Sequence, residues 1–176
     1  EEFFAPPYCP VGLSDFRMAA ESRFYSAGDA WRIGDCIDVR TLQVDHPGGC
    51  AAFRISTPGG DIVYASDAEL SNAHEAARLA EFARNADYLI IDAMNNDDNA
   101  HLRCGWGHSS WREGVAVGVA ANVRAIALFH HDPKSDDEAL NRIDERANAL
   151  DARAFVVRQG SVATLRASRP AFSTDR

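Results

Sequence analysis

From residue 31 onward the hydrophobic positions fall into two rhythms. In CIDVRTLQVDH (36–46), Ile37 and Val39 alternate with polar residues, and the apolar positions then shift phase to Leu42 and Val44. A period of two predicts a strand, and the phase shift predicts a bulge within it. GGCAAFRIS and DIVYASD flank the turn signal TPGGD, so residues 48–67 read as a hairpin. The rhythm then lengthens. HEAARLAEFARN places Ala76, Leu79, Ala80 and Ala83 on one helical face. SSWREGVAVGVAAN is a helix opened by a serine cap. In SDDEALNRIDERANAL, Ser135 and Glu138 stand at capping-box spacing, with Leu140, Ile143, Ala147 and Leu150 as the buried face. ADYLIID and VRAIALF are short apolar runs and read as buried strands. AFVVRQGSVATL reads as a closing hairpin turning at Gln159-Gly160. Residues 1–30 contain Pro6, Pro7 and Pro10 and little periodicity, which predicts an irregular or partly helical entry. There is no repeat and no low-complexity segment.

From Asp61 the order is therefore strand, helix, strand, helix, strand, helix, strand. Such alternation predicts an α/β domain with a largely parallel sheet and right-handed crossovers. Ligands of such sheets bind beyond the carboxyl ends of the strands. Asp67, Asp92 and the pair His130-His131 end three of the predicted strands, and His108 precedes the helix after Asp92. A helix N-terminus there also favours an anion. The hairpin brings the His46 loop to the same end as Asp67. Taken singly, each residue has an ordinary explanation: a loop histidine before Pro-Gly-Gly, a turn cap, an imidazole bonded to a carbonyl. His46, Asp67, His108 and His130 on one edge point instead to a metal site, because imidazoles and carboxylates suit zinc and related borderline ions. His74 and His101 lie in surface-like contexts. The acids around Asp97 and Asp98 and in KSDDE read as solvated or helix-capping.

The chain has 176 residues, 46% hydrophobic and 25% charged, enough for one domain over 1–176 with a real core. Its formal net charge of −8 argues against non-specific binding to nucleic acid or an acidic membrane. A small phosphorylated substrate stays open, since a metal can attract it locally. No run approaches the length of a membrane span. The cysteines at 9, 36, 50 and 104 form no C-x-x-C pair and read as reduced, hence cytoplasmic. Cys104 and His108 stand four apart, but a small loop residue explains Cys104 better than a ligand does.

VDHPGGCAAFRI, IVYASDAE, GWGHSSW and LFHHDP, in this order and spacing, resemble the metallo-β-lactamase fold superfamily on its phosphodiesterase and ribonuclease Z side. The resemblance covers about Asp38 to Leu150. It implies an αββα sandwich, present mostly as its C-terminal half: a mixed sheet with flanking helices. It implies His46, Asp67 and His130 as metal ligands, with Asp67 bridging two divalent ions, zinc or alternatively manganese, around a bridging hydroxide. It implies His108 as a non-ligand catalytic residue acting on the phosphate or leaving group. His131 has no counterpart among the ligands. Trp106 and Ser109, beside His108, are candidate substrate-binding residues, with core packing as the competing explanation for the tryptophans.

One departure matters. The His-x-His-x-Asp-His motif that precedes these segments in the superfamily is absent, and EEFFAPPYCP resembles the stretch that follows it. The expectation is a domain incomplete at its N-terminus, rather than a degenerate relative with half a site. Three ligands are too few for two metals, so this chain alone should be nearly inactive. The sheet face that would meet the missing half should be apolar and covered by that half or by a second copy. The implied activity is hydrolysis of a small phosphodiester or ester, cyclic-nucleotide or nucleic-acid-like. The rival readings are a non-catalytic binding or sensor module and a lactone or thioester hydrolase.

Overall fold

A computed structural model describes residues 25–165. The expectations for residues 1–24 lie outside the described residues. One seven-stranded sheet holds the strands in chain order: β1 (Ala30–Ile33), β2 (Ile37–Val44), β3 (Cys50–Thr57), β4 (Gly60–Ala65), β5 (Tyr88–Asp92), β6 (Ile126–Phe129) and β7 (Ala154–Val156). β1 to β4 form an antiparallel meander, and β4 to β7 are parallel. Three helices make the crossovers: α1 (Ala73–Ala83), α2 (Trp111–Ala120) and α3 (Asp137–Leu150). Strands that advance in one direction with right-handed crossovers put all three helices on one face. α2 accordingly packs between α1 and α3.

Among the described residues the sheet is sealed on that face and only partly covered on the other. Val63, Ala65, Leu89, Ile91, Ile126, Leu128 and Ala154 point at the helices and have no exposed surface. Burial of each large side chain among them contributes about 1.5–3 kcal/mol. α2 lies close on the strands because it carries glycine where it crosses them. A Cβ on Gly118 would meet Ile126 Cγ1 at 2.5 Å. The alternate residues Phe53, Ile62, Tyr64, Tyr88, Ile90, Phe129 and Phe155 face the other way, and Tyr64 is 37% exposed. Residues 157–165 run along part of this open face and enclose an apolar cleft of about 360 Å³ with Ile62, Tyr64 and Tyr88. No helix among the described residues is long and apolar enough to cross a membrane.

Several local expectations need correction. β2 has no bulge, since its pairing with β3 runs unbroken from Asp38↔Ser56 to Val44↔Cys50. Its phase shift marks a change of covered face. Leu42 and Val44 lie on the α1 side. Val39 and Thr41 lie on the other, where the Thr41 hydroxyl sits between the carbonyls of Ser26 (3.1 Å) and Asp29 (3.0 Å). α3 is capped by Asp136, whose carboxylate accepts from the Ala139 N–H. Ser135 is used instead to close a turn on the Asp132 carbonyl. Leu150, in the last turn of α3, is exposed. No hairpin follows β7 among the described residues; β7 pairs in parallel with β6 before the chain turns at Gly160. Asp97 is exposed, as expected, and is in addition paired: Arg112 and Arg146 both reach its carboxylate above the Trp111 ring.

Candidate metal centre

β4 and β6 both end in backbone that side chains rarely adopt. Asp67 has φ +51° and His130 φ +57°, in the left-handed region that disfavours residues with a Cβ. Each turn throws its side chain over the carboxyl end of the sheet. His130 Nε2 lies 3.2 Å from Asp67 Oδ1, and the Ser66 hydroxyl donates to Asp67 Oδ2 at 3.1 Å. Between these strands β5 ends at Asp92, which is fully buried. Asp92 Oδ1 accepts the backbone N–H of Met94 (3.0 Å) and Ser109 (3.2 Å). Its Oδ2 lies 2.9 Å from His108 Nδ1. A carboxylate can only accept, so His108 carries its proton on Nδ1 and leaves Nε2 available. The His108 ring stacks on His130 at 5.0 Å and meets His46 edge-on at 5.7 Å.

Asp67, Asp92, His108 and His130 each offer a donor atom within 4.8 Å of the other three. No lysine or arginine pairs with Asp67 or Asp92 among the described residues. A cluster of carboxylate oxygens and imidazole nitrogens without a guanidinium or ammonium group fits a cation by its donor chemistry. Asp92 is the member least suited to ligation. It is buried, and both its oxygens are engaged by protein N–H groups. His46 stands at the rim, where its Nδ1 accepts the Gly48 N–H at 3.3 Å. Cys104 is exposed and outside the cluster.

No family model matches the chain. The ribonuclease Z of Picrophilus torridus is 29% identical over 102 residues, covering 58% of this chain and 31% of that protein. The metallo-β-lactamase fold protein YhfI of Bacillus subtilis superposes with a TM-score of 0.62 at 18% identity, over 78% of this chain and 53% of YhfI. Zinc-bound PqqB of Methylobacterium extorquens gives 0.60 at 16% identity, over 87% of this chain and 61% of PqqB. The chain shares the metallo-β-lactamase fold of these solved structures. It spans about a third of the length of the curated relative it matches.

The other candidate positions separate clearly in space. Ser109 is fully buried, and its hydroxyl donates to the Ala68 carbonyl, so it braces the site from within and does not face a substrate. Trp106 is 60% exposed, while Trp111 is core. The helix terminus beside His108 is not open to an anion. Ser110 and Glu113 form a reciprocal capping box there, which puts a carboxylate on the first turn. His131 turns inward, with Nε2 on the Leu128 carbonyl at 3.0 Å, and burial lowers its pKa. His74 and His101 are exposed, as their contexts suggest.

Sequence reasoning missed Glu69. It is buried, yet Oε1 accepts the Gly105 N–H and Oε2 the Gly107 N–H, each at 2.8 Å, and the Ser71 hydroxyl adds a third bond. Burial opposes its charge, but these donors outweigh burial and hold its carboxyl below the usual range. Its signal in the sequence was an acid between two apolar residues, Ala68 and Leu70.

Proposed function

We propose that this chain is the catalytic-edge half of a metal-dependent phosphodiesterase, in which His46, Asp67 and His130 hold divalent ions and His108 acts on the substrate. The observation that carries this reading is the pairing of Asp67 with His130 across two strained strand ends, beside a histidine already oriented by Asp92. The ribonuclease Z relative supports phosphodiester chemistry over other esters. The nitrogen and oxygen donor set, and the zinc in PqqB, favour zinc, with manganese as the alternative. Divalent ions held by His46, Asp67 and His130 would supply an activated water and neutralise charge on the phosphoryl oxygens.

The protein's own groups do the rest. Asp92 fixes the His108 ring and keeps the proton on Nδ1. When protonated, Nε2 donates to a phosphoryl oxygen or gives its proton to the departing alkoxide. Trp106, exposed at the end of the loop, packs against the substrate's leaving group. The open apolar face of the sheet meets a second layer, the N-terminal half of the sandwich, which also supplies the remaining ligands. The active unit is therefore this chain assembled with that half.

The chain assembled with that half, metal-depleted, titrated with zinc and then assayed on bis(p-nitrophenyl) phosphate, a lactone and a thioester, tests this. Zinc-dependent cleavage of the phosphodiester is expected. Preference for the lactone or thioester would reassign the substrate. Failure to bind zinc would leave a non-catalytic module.

A further inference from the structure

We propose that Glu69 is a positioning residue that sets the places of both His46 and His108 by clamping the Gly105-Trp106-Gly107 loop; this rests on the site assignment above and deepens it. Glu69 lies two residues past Asp67 in the same β4-to-α1 connection. Its own N–H donates to the Asp45 carbonyl at 2.9 Å, which ties that connection to the residue before His46. Its two oxygens then take the two glycine amides on either side of Trp106. No cation pairs with Glu69 among the described residues, so a buried carboxylate is held by neutral donors, the two glycine N–H groups and the Ser71 hydroxyl. Burying a charge this way is costly unless its hydrogen bonds are well made, and the two glycine bonds are short, with one on each oxygen beside the Ser71 bond on Oε1.

The clamp reaches the imidazoles through Gly107. This glycine has φ +87° and sits so close to the His46 ring that a Cβ would lie 2.3 Å from His46 Cδ2 and 2.6 Å from Pro47 Cδ. Gly107 is thus pressed against His46 on one side and bonded directly to His108 on the other. Release of the Gly107 amide frees both histidines at once. Ser109, whose hydroxyl reaches the Ala68 carbonyl, fastens the far side of His108 to the same connection. Glu69 offers no ligand atom to the cluster. It acts entirely through the backbone it holds.

Glu69→Gln keeps the size but points an amide NH₂ at one of the two glycine N–H groups. The test is made on the intact chain with isotope-labelled histidine, read beside thermal melting and zinc titration. Expected are displaced ring resonances for His46 and His108 with those of His74 and His101 unmoved. Zinc affinity should fall about 10–100-fold, the range for losing an outer partner of a ligand. A lower melting temperature with unmoved His46 and His108 signals would make Glu69 a stability element only and overturn the proposal. Should the variant not fold, the wild-type chain still decides. The Gly105 and Gly107 amides must exchange with solvent as slowly as sheet amides, and rapid exchange overturns the clamp. Absence of zinc binding by the wild-type chain would instead sink the metal assignment, leaving the ring resonances to judge Glu69.

Discussion

At the end of the sheet where β5 and β6 begin, Asn85 and Asn122 adopt left-handed backbone, and at the end where β4 and β6 finish, Asp67 and His130 do the same. The first pair is turn chemistry. Asparagine tolerates this conformation, the two side chains bond each other at 2.9 Å, and the charges around them are matched, with Arg124 on Asp87 and Arg54 on Asp61. The second pair puts an aspartate and a histidine in the same conformation, 3.2 Å apart, with no arginine or lysine on the carboxylate. One backbone device thus serves two ends of one sheet. At one end it turns the chain. At the other it stores strain of about 1–3 kcal/mol per residue and aims donor atoms at a common point.

The same substitution at all four positions should break this symmetry. Glycine accepts left-handed backbone without strain, so each variant should fold, with stability changed by about 1 kcal/mol or less. Asp67→Gly and His130→Gly should lower zinc affinity by more than about 100-fold, beyond the effect of losing an outer partner. In the assembly proposed above they should abolish turnover. Asn85→Gly and Asn122→Gly should leave both unchanged. Calorimetric zinc titration beside thermal melts reads all four, and equal affinities across the set would reduce the Asp67–His130 pair to a turn.

His108 sharpens the comparison within the site end. His108→Ala should reduce phosphodiester turnover by about 10²–10⁴-fold while zinc content stays near wild type. Asp92→Asn should fall between that variant and wild type, because the ring loses its acceptor but not its nitrogen. Zinc lost with His108 would make it a ligand, and full activity would leave it a packing residue.

Much of this was legible in the sequence, and the failures share a cause. The strand-helix alternation from Asp61 predicts the parallel half, because each crossover is local and its period is clear. Strand ends locate His46, Asp67, His108 and His130 on one edge for the same reason. What stayed hidden depends on contacts between distant segments. Ser109 reads as a site-facing hydroxyl, yet the Ala68 carbonyl 41 residues away holds it inside. Glu69 finds its partners 36 and 38 residues on, in a loop whose path no periodicity announces. The turn at Gly160 looks like a hairpin because its signal is local, while β7 takes its partner from β6 across all of α3. Left-handed φ at Asp67 and His130 is invisible because neither residue is the glycine or asparagine that would advertise it.

Trp106 gives a smaller effect. It stands between the two clamped glycines with an exposed ring, and the Arg103 guanidinium lies 5.7 Å from its centroid. Trp106→Ala should raise KM several-fold and leave kcat within about twofold, the pattern for contacts made equally in ground and transition states. A fall in kcat alone would mean that the ring helps to place His108.

The smallest effect belongs to the end without a site. Asp151 closes α3 and takes the Arg153 guanidinium on both oxygens at 2.8 and 2.7 Å, while Arg153 also reaches the Val123 carbonyl and so ties β7 to the α2–β6 connection. The Arg153 side chain, then its backbone N–H, lower the Asp151 pKa to about 2. A carboxylate depressed in the fold contributes stability above its unfolded value of about 4, and that contribution disappears as pH falls from there through about 2. The pair is partly exposed, so solvent screening limits its contribution to about 1 kcal/mol or less. Asp151→Asn should therefore melt slightly below wild type at pH 7, and the gap should close by pH 2 with zinc affinity unchanged throughout. A gap that persists at pH 2 would assign the effect to packing at the helix end, and a change in zinc affinity would mean that the two ends of the sheet are coupled.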